Sequence, residues 1–310
     1  MHISDAHLEE VRTQGFTVME GFLEPDLLGA AQENLWDIYP RPDVYFSAEE
    51  DHRRLVRGQF SGLRHFPFPG GALNGLVHHP DLVNAAARYC GTTDLDIYKI
   101  ELWGKYSGSV DYDQGHHRDF AGHTLTVTKQ ADDFKMMTTF ILLSDVTLET
   151  GPTKVVPLAH TRDLARHLGE IEPEVDKIGP FGKDTFKDVE ISITGPAGSI
   201  FIYHPDIVHR GSSLLGHRVA RFALLVDYSP VRKRWTGKQS WPTHATSPLW
   251  KPAFIPMTPY ERTLFGFPAV DDDFWDEQTI RDTGNRYDGM DMSPYLASYA
   301  QRAGRPSPVT

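Results

Sequence analysis

Between about residue 95 and residue 228 the chain repeatedly alternates apolar and other residues with a period of two, and little else in it constrains the fold as tightly. "LDIYKIELW" sets Tyr98, Ile100 and Leu102 against Lys99 and Glu101, and "TLTVT" sets Leu125 and Val127 among threonines. "MMTTFILLSDV" reads as a longer buried strand, and "TKVVP", "VEISI", "SIFIYH" and "VARFALLVDY" follow it. Successive side chains on a strand point to opposite faces, so this period predicts strands and not helices. Turns such as "TGPAG" at 194–198 separate them. Seven or eight short strands without intervening helices predict a sandwich or barrel and exclude alternating βαβ units. No glycine-rich phosphate fingerprint occurs, so a nucleotide-binding fold has no support.

Helical spacing precedes this region. "EPDLLGAAQENLWDIYP" places Leu28, Ala31, Leu35 and Ile38 on one face, with Pro25 suited to a first turn and Pro40 ending the helix. "HPDLVNAAARYCG" repeats the pattern from Pro80 to Gly91. After Tyr228 comes a segment rich in aromatics, among them Trp235, Trp241, Trp250, Phe254, Phe265, Phe274 and Trp275. So many large rings require burial, and the expectation is one domain over 1–310. It would comprise a helical part to about 94, a β core over about 95–228, and a C-terminal segment wrapping that core.

The 310 residues carry a formal charge of −11, and the only compact basic run is "RKRW" at Arg232–Trp235. A nucleic-acid partner would call for the opposite balance. No apolar run approaches the roughly 20 residues that span a bilayer. The opening "MHISDAHLEEVRTQ" is acidic where a signal peptide is basic. The single cysteine, Cys90, fits a reducing cytoplasm and reads as a small core residue.

Chemistry concentrates in "YDQGHHRDF" at 112–120. It is either an exposed polar turn or a pair of metal ligands, because His117 and Asp119 share one side of an extended chain while Arg118 points away. A third ligand is then required, and His209 in "IVHRGSS" supplies it. His204 is its rival, though its place before Pro205 suits a structural role. Two histidines and one carboxylate form the facial triad of non-haem iron(II) oxygenases. The usual cosubstrate of that triad, 2-oxoglutarate, has a far carboxylate that needs a cation. Arg221 shares a strand face with Ala223 and Leu225, where a charge is costly unless paired. Arg218, nearer the turn, is the alternative. Tyr106 and Tyr112 lie in "GKYSGSVDYDQG", whose glycines suit a mobile lid, and with His116 and Phe120 they are candidates to line a pocket.

These residues resemble the phytanoyl-CoA dioxygenase family of iron(II)/2-oxoglutarate oxygenases essentially end to end. "GFTVMEGFLEPDLL" resembles the family's opening strand and helix. "QGHHRDF" resembles its Gln-x-x-His-x-Asp element, giving Gln114, His117 and Asp119, and "LLSDVTLETGPTKVVPLAH" resembles its Gly-Pro turn and Val-Pro segment. Arg210 stands between His209 and Gly211, so the family's serine and arginine both fall one residue late, at Ser212 and Arg221. The resemblance implies a double-stranded β-helix, or jelly roll, that is mainly β with flanking helices. It implies His117, Asp119 and His209 as iron(II) ligands, with Arg221, Ser212 and Gln114 serving the cosubstrate. It also implies conversion of 2-oxoglutarate and O2 to succinate and CO2, coupled to oxidation of a small molecule of secondary metabolism or catabolism. Related halogenases lack the carboxylate, so Asp119 favours hydroxylation or another oxidation. Ligand histidines must be neutral, so iron binding is expected to weaken as pH falls below about 6.5. A cupin-like metal-binding or regulatory module without redox turnover is the alternative, and it has no need of Arg221.

Overall fold

The computed structural model describes residues 2–52, 54, 57–58, 60–108, 112–119, 135–164, 181, 184–231, 239, 241 and 247–304. Contacts divide the chain into two compact units, 1–239 and 240–310.

In the first unit, a nine-residue helix α1 (Asp5–Thr13) is capped by Ser4 and leads into strand β1 (Phe16–Met19). Helix α2 (Pro25–Trp36) starts at the proline suited to a first turn. Helices α3 (Pro42–Ser47), α4 (Glu49–His52) and α5 (Gly71–Gly75) are short, and strand β2 (Leu63–His65) lies between the last two. Helix α6 (Pro80–Cys90) ends where Gly91 turns left-handed at φ 71°, the conformation that makes glycine the usual stop. Cys90 is buried.

Six further strands follow: β3 (Leu95–Tyr106), β4 (Met137–Leu142), β5 (Thr153–Val156), β6 (Ile191–Ser192), β7 (Ile200–Tyr203) and β8 (Val208–Gly211). Strand β9 (Ala220–Pro230) closes the series. They form a six-stranded sheet, ordered β1-β7-β4-β9-β3-β2, and a three-stranded sheet, β6-β5-β8. Every strand pairing among the described residues is antiparallel. The expected alternation is therefore realised as two sheets. The predicted strand "TLTVT" and Phe120 lie outside the described residues.

Register decides which side chains share a face. Lys99 pairs with Asp227, Glu101 with Leu225, Trp103 with Ala223 and Lys105 with Arg221. Thr138 stands between Asp227 and Tyr203, and Phe140 between Leu225 and Phe201. This is the inner face: Phe201 and Tyr203 pack with Val155, Ile193 and Ile207 from around the smaller sheet. The opposite face meets the helical layer, where Tyr228 donates to the Val77 carbonyl at 2.9 Å and Phe222 meets Trp36 edge-on. Both faces of β3 are thus covered, and Lys99, Glu101 and Lys105 are each at most 6% exposed. The polar positions of "LDIYKIELW" face the interior between the sheets.

One glycine pair allows β2 to close on β3. A Cβ at Gly62 would lie 1.7 Å from the Gly104 carbonyl oxygen, so only glycine tolerates this approach. The second unit has an aromatic core of its own. Trp275, Ile280 and Tyr295 pack with Phe267, Val270, Met292 and Tyr299. Trp250 stacks on Phe254, and Phe265 meets Trp250, Phe254 and Trp241 edge-on. The helix Pro259–Thr263 has Thr258 and Glu261 in a reciprocal cap.

Candidate metal centre

The expected third partner arrives by strand pairing. His117 and His209 face each other across an isolated bridge. Each backbone N–H donates to the other's carbonyl at 2.9 Å. Gln114 extends this contact. Its N–H donates to the Gly211 carbonyl at 3.0 Å, and its side-chain oxygen accepts from the Gly211 N–H at 2.8 Å. A Cβ at Gly211 would sit 2.7 Å from that oxygen, so the glycine admits the clamp. Asp119 lies in the turn just beyond the bridge. One ligand atom from each of His117, Asp119 and His209 falls within 4.8 Å of the others.

The backbone also orients the rings. A carbonyl can only accept, so His117 Nδ1 donates to Gly115 at 2.8 Å and His209 Nδ1 donates to Ile207 at 3.3 Å. A neutral ring that donates through Nδ1 carries its lone pair on Nε2, the arrangement usual for histidines that hold metals. Both Nε2 atoms point toward one atom, Asp119 Oδ1, at 3.7 Å from His117 and 3.4 Å from His209. Burial and the adjacent His209 hold His117 down to about 4. The proton competition expected of an ordinary histidine near pH 6.5 is moved down to about pH 4 at this residue. Burial alone would raise the Asp119 carboxyl, but the ammonium of Lys99 and the His209 ring hold it well below the usual carboxylate range. Two imidazole nitrogens beside one carboxylate give a donor set that fits a divalent ion with open positions.

The other oxygen of Asp119 has partners that the sequence reading missed. Lys99 Nζ donates to Oδ2 at 3.0 Å and the Tyr203 hydroxyl donates at 3.1 Å. Asp227 stands 3.6 Å from the same ammonium. A signal for them existed. Counting by twos from Arg221, already assigned to a face, leads to Asp227, and Lys99 alternates with apolar residues on its own strand.

Across the smaller sheet, Val155 pairs with inward-facing His209 while Lys154 pairs with Arg210. The outward residues meet at Glu190. Arg210 grips it through two nitrogens at 2.7 and 2.8 Å, Lys154 donates at 2.8 Å and His116 Nε2 lies 3.0 Å away. Arg210 also reaches Asp113 at 3.2 Å. Burial would raise the Glu190 carboxyl, yet its bonds to Arg210 and Lys154 hold it down to about 2.

Several expected roles change with these placements. His116 is wholly buried against Glu190 and the edge of Phe186, so it does not face the His117–Asp119–His209 cluster. Tyr106 has the opposite parity to Lys105. It stacks on Tyr45 and donates to the Pro40 carbonyl, which puts it on the helix side of the sheet and not in a pocket. Ser212 commits its hydroxyl proton to the Pro152 carbonyl at 2.6 Å. Tyr112 is exposed. Arg118 points away as expected, bonding the carbonyls of Asp206 and Thr161. His204 accepts from the Asp206 N–H through Nδ1 and is not in the cluster. Arg218 donates to the Phe46 carbonyl and covers the Phe46 ring, while Arg221 lies on the inner face in register with Lys105.

The family model of phytanoyl-CoA dioxygenase matches residues 11–221. Among solved structures, the chain is similar to the non-haem alpha-ketoglutarate-dependent carbocyclase SnoK from nogalamycin biosynthesis. The two share 18% identity and a TM-score of 0.54, over 79% of this chain and 92% of that one. No curated protein matches the sequence. No helix among the described residues is long and apolar enough to cross a membrane.

Proposed function

The chain belongs to the phytanoyl-CoA dioxygenase family, and we propose that it hydroxylates a small organic molecule at a centre formed by His117, Asp119 and His209. It is a non-haem iron oxygenase that uses 2-oxoglutarate and O2. The observation that carries the site assignment is the convergence of two Nε2 atoms on Asp119 Oδ1, with both Nδ1 protons committed elsewhere. Two antiparallel sheets packed through Phe201, Tyr203, Val155 and Ile207 support the double-stranded β-helix reading.

In this reading bound iron(II) supplies the redox chemistry that couples oxidative decarboxylation of 2-oxoglutarate to substrate oxidation. His117 and His209 offer their Nε2 lone pairs, and Asp119 offers Oδ1. Arg221 holds the far carboxylate of 2-oxoglutarate from the inner face of β9. Gln114 ties the two histidine-bearing segments together, so its service to the site is through the backbone. Glu101 and Lys105 make the inner face polar, which favours a small molecule with polar groups over a long hydrocarbon chain.

Wild-type protein is expected to release succinate from 2-oxoglutarate when given iron(II) and a competent substrate. An anaerobic mixture of protein, iron(II) and 2-oxoglutarate should show the weak visible charge-transfer band of a chelated keto acid. Absence of both signals would sink the proposal. Arg221→Ala should raise the KM for 2-oxoglutarate about 10- to 100-fold, as loss of a charge-assisted contact does. Arg218→Ala should leave that KM unchanged, and the reverse result would transfer the anchoring role to Arg218.

A further inference from the structure

The two oxygens of Asp119 are in different surroundings, and the difference bears on how the residue can bind a metal. Oδ1 faces both histidine Nε2 atoms. Oδ2 accepts from Lys99 at 3.0 Å and Tyr203 at 3.1 Å. The two donors stand on β3 and β7, both members of the six-stranded sheet. Asp119 itself lies in a turn, whereas the histidines are pinned by their mutual backbone pair. The orientation of the carboxylate therefore depends on what grips its second oxygen.

Building on the proposed iron site, we propose that Lys99 is a positioning residue that keeps Asp119 bound to the metal through Oδ1 alone. A carboxylate can hold a cation through one oxygen or both. Chelation through both would need Oδ2 to swing toward the ion, breaking a buried charge-assisted bond. With Oδ2 retained, the three side chains fill three coordination positions. The remaining positions stay available for the keto acid and O2. If Oδ2 joined the ion it would take one of those.

Charge explains why this partner is a lysine and why Asp227 accompanies it. Lys99 is 2% exposed, and an ammonium that deeply buried is costly unless compensated. Asp227, itself 2% exposed, supplies a second carboxylate 3.6 Å away. The ammonium therefore keeps a close acidic neighbour whether or not Asp119 shares its charge with a metal. Tyr203 adds an uncharged donor to the same oxygen.

A purely structural ion pair and a positioning residue make opposite predictions when Lys99 is removed. Mn(II) binding, followed by its electron paramagnetic resonance, reports metal affinity without turnover. The charge-transfer titration reports 2-oxoglutarate affinity in the anaerobic iron(II) protein. In Lys99→Met the freed Oδ2 should leave Mn(II) binding as tight as wild type or tighter, against the loss usual when an outer partner is removed, while 2-oxoglutarate affinity falls about 10-fold. Tyr203→Phe should move both quantities in the same directions by less. The double variant Lys99→Met/Asp227→Asn removes the orphaned carboxylate with the cation. It should reproduce the opposed shifts in a protein whose thermal melting shows it folded. Parallel weakening of metal and keto acid in the folded variants would reduce Lys99 to a support for the turn and overturn the proposal. Unchanged affinities would overturn it equally. Wild type is the reference for every arm, so failure of wild type to bind iron or show the band counts against the site assignment itself.

Discussion

Succinate formation is expected to fall below detection in Asp119→Ala and in His117→Ala, assayed with iron(II), 2-oxoglutarate and a substrate that stimulates wild type. Each variant removes a donor from a three-donor set, so metal affinity should drop by more than the roughly 10- to 100-fold typical of losing an outer partner. The two variants should differ in a second respect. His117→Ala leaves the Lys99–Asp119 pair in place. Asp119→Ala deprives a buried ammonium of its nearest carboxylate, leaving Asp227 at 3.6 Å and the field of Glu101. Removing one member of a buried ionic group is strongly destabilising. Asp119→Ala should therefore melt lower than His117→Ala while both are inactive. Normal turnover by either variant would refute the site assignment.

The largest stability effect is expected at a residue outside the cluster of donors. Glu190→Ala leaves Arg210 and Lys154 without the carboxylate they share, and both groups are close to it at 2.7–2.8 Å. A loss of about 3–5 kcal/mol follows from breaking such a buried arrangement. That corresponds to roughly 10 °C in melting temperature for a body of this size. The pH dependence has a definite sign. The folded carboxyl is held down to about 2, below its ordinary value of 4.5. Its contribution is therefore complete above about pH 4.5 and is lost as pH falls toward 2. Denaturant unfolding of wild type and Glu190→Ala across that window should show the gap between them closing at acid pH. A gap independent of pH would mean that Glu190 contributes by packing and not by charge. Because Arg210 and His116 adjoin the two histidines in sequence, the variant should also bind metal more weakly at neutral pH.

The period-two pattern foretold most of the strands, since alternation depends only on neighbours along the chain. The helices at Pro25 and Pro80 were readable for the same reason, through their prolines and Gly91. His117, Asp119 and His209 could be named because each kept a recognisable spacing or resemblance. Alternation gives parity and not destination, however. Lys99 and Glu101 occupy alternate positions that resemble an exposed edge, and the structure buries them between the sheets. The loop neighbours of Tyr106 make it a candidate to line a pocket, whereas its parity on β3 sends it to the helices. Strand β8, which carries His209, is four residues long and escaped notice between Pro205 and the turn after Gly211. Glu190 could not be found locally, because its partners at positions 116, 154 and 210 meet only once three segments are laid side by side.

The outward row on the smaller sheet bears on how faithfully the chain assembles. Neighbouring residues on a strand face opposite ways, so a slip of one residue in the β8 pairing would exchange His209 for Arg210 on the inner side. A misassembled protein of that kind would present a guanidinium where an imidazole is needed and would leave Glu190 facing no arginine. The ionic cluster thus acts as a proofreader of strand alignment, since its contacts form only in the register that turns His209 inward.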